Sequence, residues 1–324
     1  MYALLTLAFA AKTDVCSAWD LEGERITVEE SSVVESSGIA VGRRDEAVWY
    51  TVEDAGSEPY IQIVSSSGTY VGQQYLIGAS NVDWEDLASG PCPPSVAADS
   101  CLYIADIGDN DETREDIVIW AVAESTAASE VAVACRFAYE DGAAHDAEAL
   151  FIDPEGGLRI VTKSSNGTPS VFGNEAPRCD SETEVLLELA TLNLSGETAE
   201  DREVTGAAMS ADGQLLVLRS STQVWMWRGC TLNWAEVPEV HSLASEPQGE
   251  AIAVFNDGSL LTSSEGTPLR LQVLPCTQTD AVSCPSCGCA QADGLAVLLI
   301  LLPIPLIRRS RPKSPPRSAP TPPV

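Results

Sequence analysis

The chain has 324 residues, 44% of them apolar, enough to bury a sizeable core as one domain or two. It carries 18 basic against 48 acidic side chains, a net charge of −30, and five of the basic residues lie in a tail that holds no acid, so the body carries −35. A charge of that sign and size repels nucleic-acid phosphates and anionic lipid, which excludes nucleic-acid binding and favours cations and solubility.

The first segment, Ala3-Leu4-Leu5-Thr6-Leu7-Ala8-Phe9-Ala10, is a short apolar run ending in Ala-x-Ala, and residues 1–11 read as a signal peptide. Ten cysteines, only three of them crowded together in the tail, point to an oxidising compartment with disulfide bonds.

A short phrase then recurs five times: Ser37-Gly38-Ile39-Ala40, Glu85-Asp86-Leu87-Ala88, Glu148-Ala149-Leu150, Gly206-Ala207-Ala208 and Glu250-Ala251-Ile252-Ala253. After each copy come a turn, an apolar strand and a polar or charged cluster, as in Val48 to Asp54 or Leu158 to Lys163. The first unit supplies four short strands, at residues 38–42, 47–53, 60–65 and 70–78. Turn sequences such as Ser67-Gly68, Ala211-Asp212-Gly213 and Asn256-Asp257-Gly258 separate strands along the chain. Repeated four-stranded units that cannot bury their faces alone predict radial stacking. The expected fold is all-β: a β-propeller over residues 17–276, with five visible repeats and five or six blades.

The last unit has strands at residues 251–254, 259–263 and 269–273 and then stops at Pro275-Cys276. Residues 25–34 are the expected missing outer strand, so that the N-terminus closes the ring and Cys16 lies beside Cys276. Cys92 and Cys101 flank a Pro/Ser-rich insertion and form a natural local pair. The pairing of Cys135, Cys179 and Cys230 stays open.

The inner strand of a propeller blade lines the central channel, which places Glu85, Glu148 and Glu250 at or near its rim. In this alignment Ser37 and Gly206 replace the glutamate in the first and fourth units, making the channel lopsided in charge. Asp106 and Asp109, in Asp106-Ile107-Gly108-Asp109-Asn110-Asp111, add the densest local source of oxygens. Glu85, Asp106, Asp109, Glu148 and Glu250 are the candidate metal ligands, and hard carboxylates suit Ca²⁺. His145, Lys163, Arg219 and Glu265 are further candidates to line the channel. Lys163 and Arg219 could equally neutralise the glutamates, and His145 could serve as a hydrogen-bonded corner. No catalytic constellation is visible: the sequence has no Gly-x-Ser-x-Gly elbow, no His-Glu-x-x-His and no phosphate-binding glycine loop.

As a set, Val82 to Ala88, Asp106 to Asn110, His145 to Leu150 and Pro247 to Ala253 resemble a family of exported bacterial β-propeller-like proteins, over about Glu35 to Val273. The Glu-x-Ile/Leu-Ala strand is also similar to that of phytase-like and lactonase-type propellers, a likeness that implies metal-binding acids on inner strands.

From Cys284 the sequence changes: Cys284-Pro285-Ser286-Cys287-Gly288-Cys289, an apolar run over residues 294–307, then arginines and a Pro-rich end. Fourteen residues of helix rise about 21 Å, short of a roughly 30 Å hydrocarbon core. This arrangement resembles the MYXO-CTERM sorting signal of surface proteins, which implies cleavage near the Cys motif and tethering through Cys287 or Cys289. Residues 277–293 are read as a linker with the Cys motif, and residues 294–324 as the sorting segment. The expectation is an exported, monomeric binding module on the outer cell surface, associated with the membrane through its tail. It would take an unidentified protein or small-molecule ligand, with Ca²⁺ in the channel; the alternative is a metal-dependent hydrolase of phosphoesterase or lactonase type.

Overall fold

Four units of four strands and a last one of three run along the chain, joined by turns and loops, and the computed structural model arranges them as the blades of a propeller. It describes residues 11–29, 33–180, 182–229, 233 and 236–284. The chain divides into units Met1–Ser286 and Cys287–Val324. The second unit lies outside the described residues and takes Cys287, Cys289 and the apolar tail with it; residues 1–10 of the expected signal peptide and Cys230 lie outside them too.

Strands β1 (Ala11–Trp19) and β2 (Glu24–Val28) precede the repeats. Blade 1 is β3 (Ser36–Val41), β4 (Val48–Glu53), β5 (Tyr60–Ser65) and β6 (Tyr70–Ile77). Blade 2 is β7 (Trp84–Pro91), β8 (Ser100–Asp106), β9 (Ile117–Ala123) and, after the short β10 (Ser129–Val131), β11 (Val133–Tyr139). Blade 3 is β12 (Ala147–Ile152), β13 (Leu158–Thr162), β14 (Ser170–Asn174) and β15 (Thr183–Thr191). A one-turn helix, α1 (Ala199–Arg202), leads into blade 4: β16 (Gly206–Met209), β17 (Leu215–Arg219), β18 (Gln223–Arg228) and β19 (Glu239–Ser242). Blade 5 is β20 (Gly249–Val254), β21 (Leu260–Ser264) and β22 (Leu269–Leu274), and β23 (Cys276–Cys284) ends the described chain.

The fourth strand of blade 5 is β2, antiparallel to β22 from Glu24 opposite Val273 to Val28 opposite Leu269. The N-terminal strand thus closes the ring, ending at Val28, short of the expected residue 34. The inner strands meet in a closed cycle, β3 with β7, β12, β16, β20 and back to β3. Five blades are therefore complete.

Each interface between blades holds its own apolar cluster. Tyr50 and Trp84 belong to the cluster between blades 1 and 2, Tyr103 and Phe172 to that between blades 2 and 3, and Phe151 and Trp225 to that between blades 3 and 4. Val217 and Ile252 share the cluster between blades 4 and 5, and Trp49 and Leu261 the one where blade 5 returns to blade 1. Middle strands are buried on both faces, which explains why β8 and β13 are buried along their whole length and read as continuous rather than alternating patterns.

Three disulfides fasten this ring. Cys16–Cys276 joins β1 to β23 beside the closure, and Cys92–Cys101 staples the β7–β8 hairpin. Cys135–Cys179, left open by the sequence, ties blade 2 to blade 3 where β11 and β15 pair in parallel. Residues 276–284, expected largely as linker, instead form a ribbon with β1, from Ala11 opposite Cys284 to Trp19 opposite Cys276. The disulfide holds these strands together, and Trp19 Nε1 anchors the ribbon by donating to Gly258 O at 2.8 Å.

At the hub, Asp86 is 0% exposed. Its carboxylate accepts the amides of Leu87 and Leu150 at 2.8 Å and of Ala207 at 3.1 Å, linking blades 2, 3 and 4. Burial pushes this carboxyl up to about 8, while the three amides favour its ionised form. Asp86→Ala orphans three buried donors and is expected to lose about 3 kcal/mol or more of stability in urea unfolding. Asp86→Asn, which keeps one accepting oxygen, should lose less; an Ala variant as stable as the wild type would contradict the role of this hub.

Candidate cation site at the channel mouth

The glutamates of the recurring phrase owe their position to a repeated irregularity in the inner strands. In blades 1, 2 and 3 the pairing with the second strand slips between Ser36 and Gly38, Trp84 and Asp86, and Ala147 and Ala149. The extra residues are Ser37, Glu85 and Glu148; the corresponding slip in blade 5 spans Gly249 to Ile252 and takes in Glu250. A β-bulge re-aims a side chain out of the ladder. Here it turns one residue in each of these four blades into the channel mouth.

The structure also corrects the alignment of the fourth unit. Asp86 receives the amides of Leu150 and Ala207, which are therefore equivalent, so Thr205 and not Gly206 occupies the glutamate position. The five mouth residues are Ser37, Glu85, Glu148, Thr205 and Glu250, and all line one cavity of about 310 Å³. Ser37 Oγ donates to Glu85 O at 2.6 Å, and Thr205 Oγ1 donates to Glu250 O at 2.9 Å. The two blades without a glutamate thus use a hydroxyl to latch the backbone of the next blade's glutamate. The following glycines permit this approach: a Cβ on Gly38 would lie 2.4 Å from Leu87 N, and one on Gly206 would lie 2.8 Å from Glu250 O.

Beyond the inner ring, the cavity is lined by Asp54, Lys163, Ser221 and Glu265 from the ends of the second strands or just past them, with Glu200 and Glu203 around α1. Lys163 is the one cation among these lining residues, and it pairs with Glu148. Asp54, Asp83 and Glu85 each place a carboxylate oxygen within 4.8 Å of the others. Gly108 makes room for this convergence, since a Cβ there would sit 2.2 Å from Glu85 Oε1 and 2.5 Å from Asp83 Oδ2. Past the inner-strand centres the channel narrows to a void of about 30 Å³, lined by apolar groups such as Leu87, Phe151 and Ile252. Within the channel, the acidic end is the larger space.

Crowding shows in the acidities. Burial, then the neighbouring Glu148 and Asp54, push Glu85 up to about 10. Burial raises Glu148 to about 7 although Lys163 opposes it. Glu265 also rises to about 7, through burial and then Glu250. Glu250 and Asp83 move upward as well, chiefly through burial. Burial acts to lower Lys163, but Glu148 and Asp146 outweigh it and hold the ammonium above its usual range.

Of the residues singled out in the sequence, Glu85, Glu148, Glu250, Lys163 and Glu265 come together here. Asp106 and Asp109 do not line this cavity. Asp106 pairs with Arg114 at 3.0 Å and accepts the Asp83 amide at 3.2 Å, while Asp109 accepts the amides of Thr113 and Arg114 at 2.9 and 2.8 Å. Both carboxylates are already engaged in shaping their own loop. His145 also lies elsewhere, bonded to Asp141 at 2.9 Å and packed against Tyr139 and Phe172. Arg219 is 0% exposed and donates to Ala251 O at 3.1 Å and to Glu246 at 2.7 Å, so it braces blade 5 from behind the mouth. The sequence reading missed Asp54, Asp83 and Thr205. Asp54 was visible as the polar end of the strand that follows the first phrase, and Thr205 as the residue one place before the phrase that was aligned.

No protein-family model matches this sequence, and no curated protein does. Among solved structures, the PQQ-bound aldose sugar dehydrogenase of Streptomyces coelicolor is similar at 10% identity and a TM-score of 0.42, over 81% of this chain and 100% of that one. Hydrazine synthase of Kuenenia stuttgartiensis is similar at 10% identity and a TM-score of 0.37, over 76% of this chain and 71% of that one.

The raised carboxyls fix the sign of a pH effect. The folded mouth holds protons that the unfolded chain has released, so stability is greatest near the unfolded glutamate value and falls as pH rises through the folded values. With Glu148 and Glu265 at about 7 and Glu85 at about 10, the melting temperature of the metal-free protein should decline from pH 5 to pH 8. A melting temperature that rises over this interval would contradict the crowding.

Proposed function

We propose that this propeller is an exported binding module, tethered to the cell surface by its processed tail, whose mouth holds a hard divalent cation, Ca²⁺. The observation that carries the reading is the convergence of Asp54, Asp83 and Glu85, backed by Glu148, Glu250 and Glu265, in a cavity lined by one cation, Lys163, with Arg114 and Arg219 acting from outside it. An all-oxygen, multiply charged donor set suits Ca²⁺, which takes six to eight oxygens, and a divalent charge would relieve the repulsion that helps raise these pKa values. Asp54, Asp83 and Glu85 would supply the first ligands, with Glu148 and Glu250 facing the same cavity. The three disulfides fit an oxidising, extracellular setting, where free calcium is plentiful enough for weak sites. Export and tethering rest on the sequence of residues 1–11 and 284–324.

A thermal-shift titration with CaCl₂ tests this. Calcium should raise the melting temperature of the wild type. Glu85→Gln should raise the melting temperature of the metal-free protein, by removing a crowded buried carboxyl, and should remove most of the calcium response. If calcium stabilises the wild type and Glu85→Gln alike, the mouth is not the calcium site.

A second reading is favoured by one arrangement: Glu148 lines the cavity beside Lys163, and burial lifts its carboxyl to about 7. A carboxyl poised near neutrality is suited to general-base work, as a metal-dependent phosphoesterase or lactonase would require. Calcium-dependent hydrolysis of p-nitrophenyl phosphate or a simple lactone, lost in Glu148→Gln, would support it. Absence of turnover with both substrates in calcium-loaded protein would remove it and leave the binding module.

A further inference from the structure

Blade 5 carries a polar patch whose composition runs against the charge of the whole body. Along β2, Ile26 and Val28 turn to the apolar cluster shared with blade 1, so the alternate residues Arg25 and Thr27 face the other way. Across the sheet Arg25 stands opposite Gln272, which stands opposite Thr262; Thr27 stands opposite Arg270, which stands opposite Ser264. These rows open onto a cavity of about 330 Å³, also lined by Ser245, Glu246 and Pro247. It shares no lining residue with the acidic mouth.

Most polar groups around this cavity are already engaged. Glu246 is held by Arg219 at 2.7 Å and by Thr262 Oγ1 at 2.7 Å, and Gln272 Nε2 donates to Glu22 O at 2.6 Å. Arg25 and Arg270 are different: among the described residues neither guanidinium makes an ion pair or a hydrogen bond. In a body with a charge of −35, two unmatched guanidiniums on one face are a departure that structure alone does not require. They occupy diagonal cross-strand positions, roughly 7–8 Å apart at the backbone, a spacing from which two long side chains reach one group between them. The planar fork of arginine matches the paired oxygens of a phosphate or carboxylate, and the Thr27 and Ser245 hydroxyls stand beside it.

We propose that this cleft is an anion site, binding a small ligand through a phosphate or carboxylate group gripped by Arg25 and Arg270. The site is independent of the calcium reading, because its lining residues and its charge are distinct from those of the mouth.

The test is calorimetric titration of the metal-free protein with sodium phosphate and, separately, sodium citrate, against sodium chloride at matched ionic strength. The wild type should bind one of the two anions, and the anion bound identifies the group recognised. Arg25→Gln/Arg270→Gln should weaken that binding at least about tenfold. Arg25→Lys/Arg270→Lys keeps the charge and serves as a folding control; it should fall between the two, because the fork is lost. Glu85→Gln should leave anion binding unchanged. Binding to neither anion, or equal binding in wild type and both double variants, overturns the proposal.

Discussion

The inner edge of each propeller blade is a strand with no sheet neighbour, and its amides and carbonyls face the crowded axis rather than water. Buried backbone groups of that kind need partners, and an edge strand cannot find them in its own ladder. This molecule supplies them from the next blade. Asp86 takes the inner-edge amides of blades 3 and 4; Ser37 and Thr205 cap inner-edge carbonyls of blades 2 and 5; and Arg219 caps the Ala251 carbonyl. The apolar clusters press the blades together. These polar caps decide how closely and in what register the inner strands meet.

The lopsided charge of the mouth follows from the same constraint. One position per blade faces the mouth, set out of the ladder by a bulge in blades 1, 2, 3 and 5 and lying just before the inner strand in blade 4, and it can either latch the neighbouring backbone or face the cavity. Ser37 and Thr205 latch, each followed by a glycine that lets the neighbour approach. Glu85, Glu148 and Glu250 face the cavity, and two of them present their backbone carbonyls to those latches. The blades that lack a glutamate therefore hold in place the glutamates of the blades that follow. The carboxylates are fixed close together at a cost visible in their raised pKa values, and Lys163 offsets only part of it.

Much of the ring was legible in the sequence because its signals are local. The recurring phrase, the turn sequences, the closing N-terminal strand and the Cys16–Cys276 and Cys92–Cys101 pairs all follow from short-range pattern or from where a repeat stops. What escaped depends on contacts between blades. Cys135 and Cys179 meet because the outer strands of blades 2 and 3 pair in parallel, and no spacing announces that. Asp83 joins the mouth only because Gly108 in the next strand's loop leaves room for it. Asp106 and Asp109 looked like ligands by their density, yet Arg114 and nearby amides, within eight residues, already satisfy them. The misplaced fourth unit turned on one residue, since a shift of one along a strand moves every side chain to the opposite face.

The proposed hard-cation site at one end of the channel consists of carboxylates that the inter-blade caps hold together. Anomalous diffraction from crystals of the protein grown with a lanthanide such as Tb³⁺ in place of calcium tests it most directly. One strong peak is expected among Asp54, Asp83 and Glu85, within about 2.3–2.6 Å of their oxygens. A fully occupied lanthanide found only at other acidic sites, with none at the mouth, would contradict it.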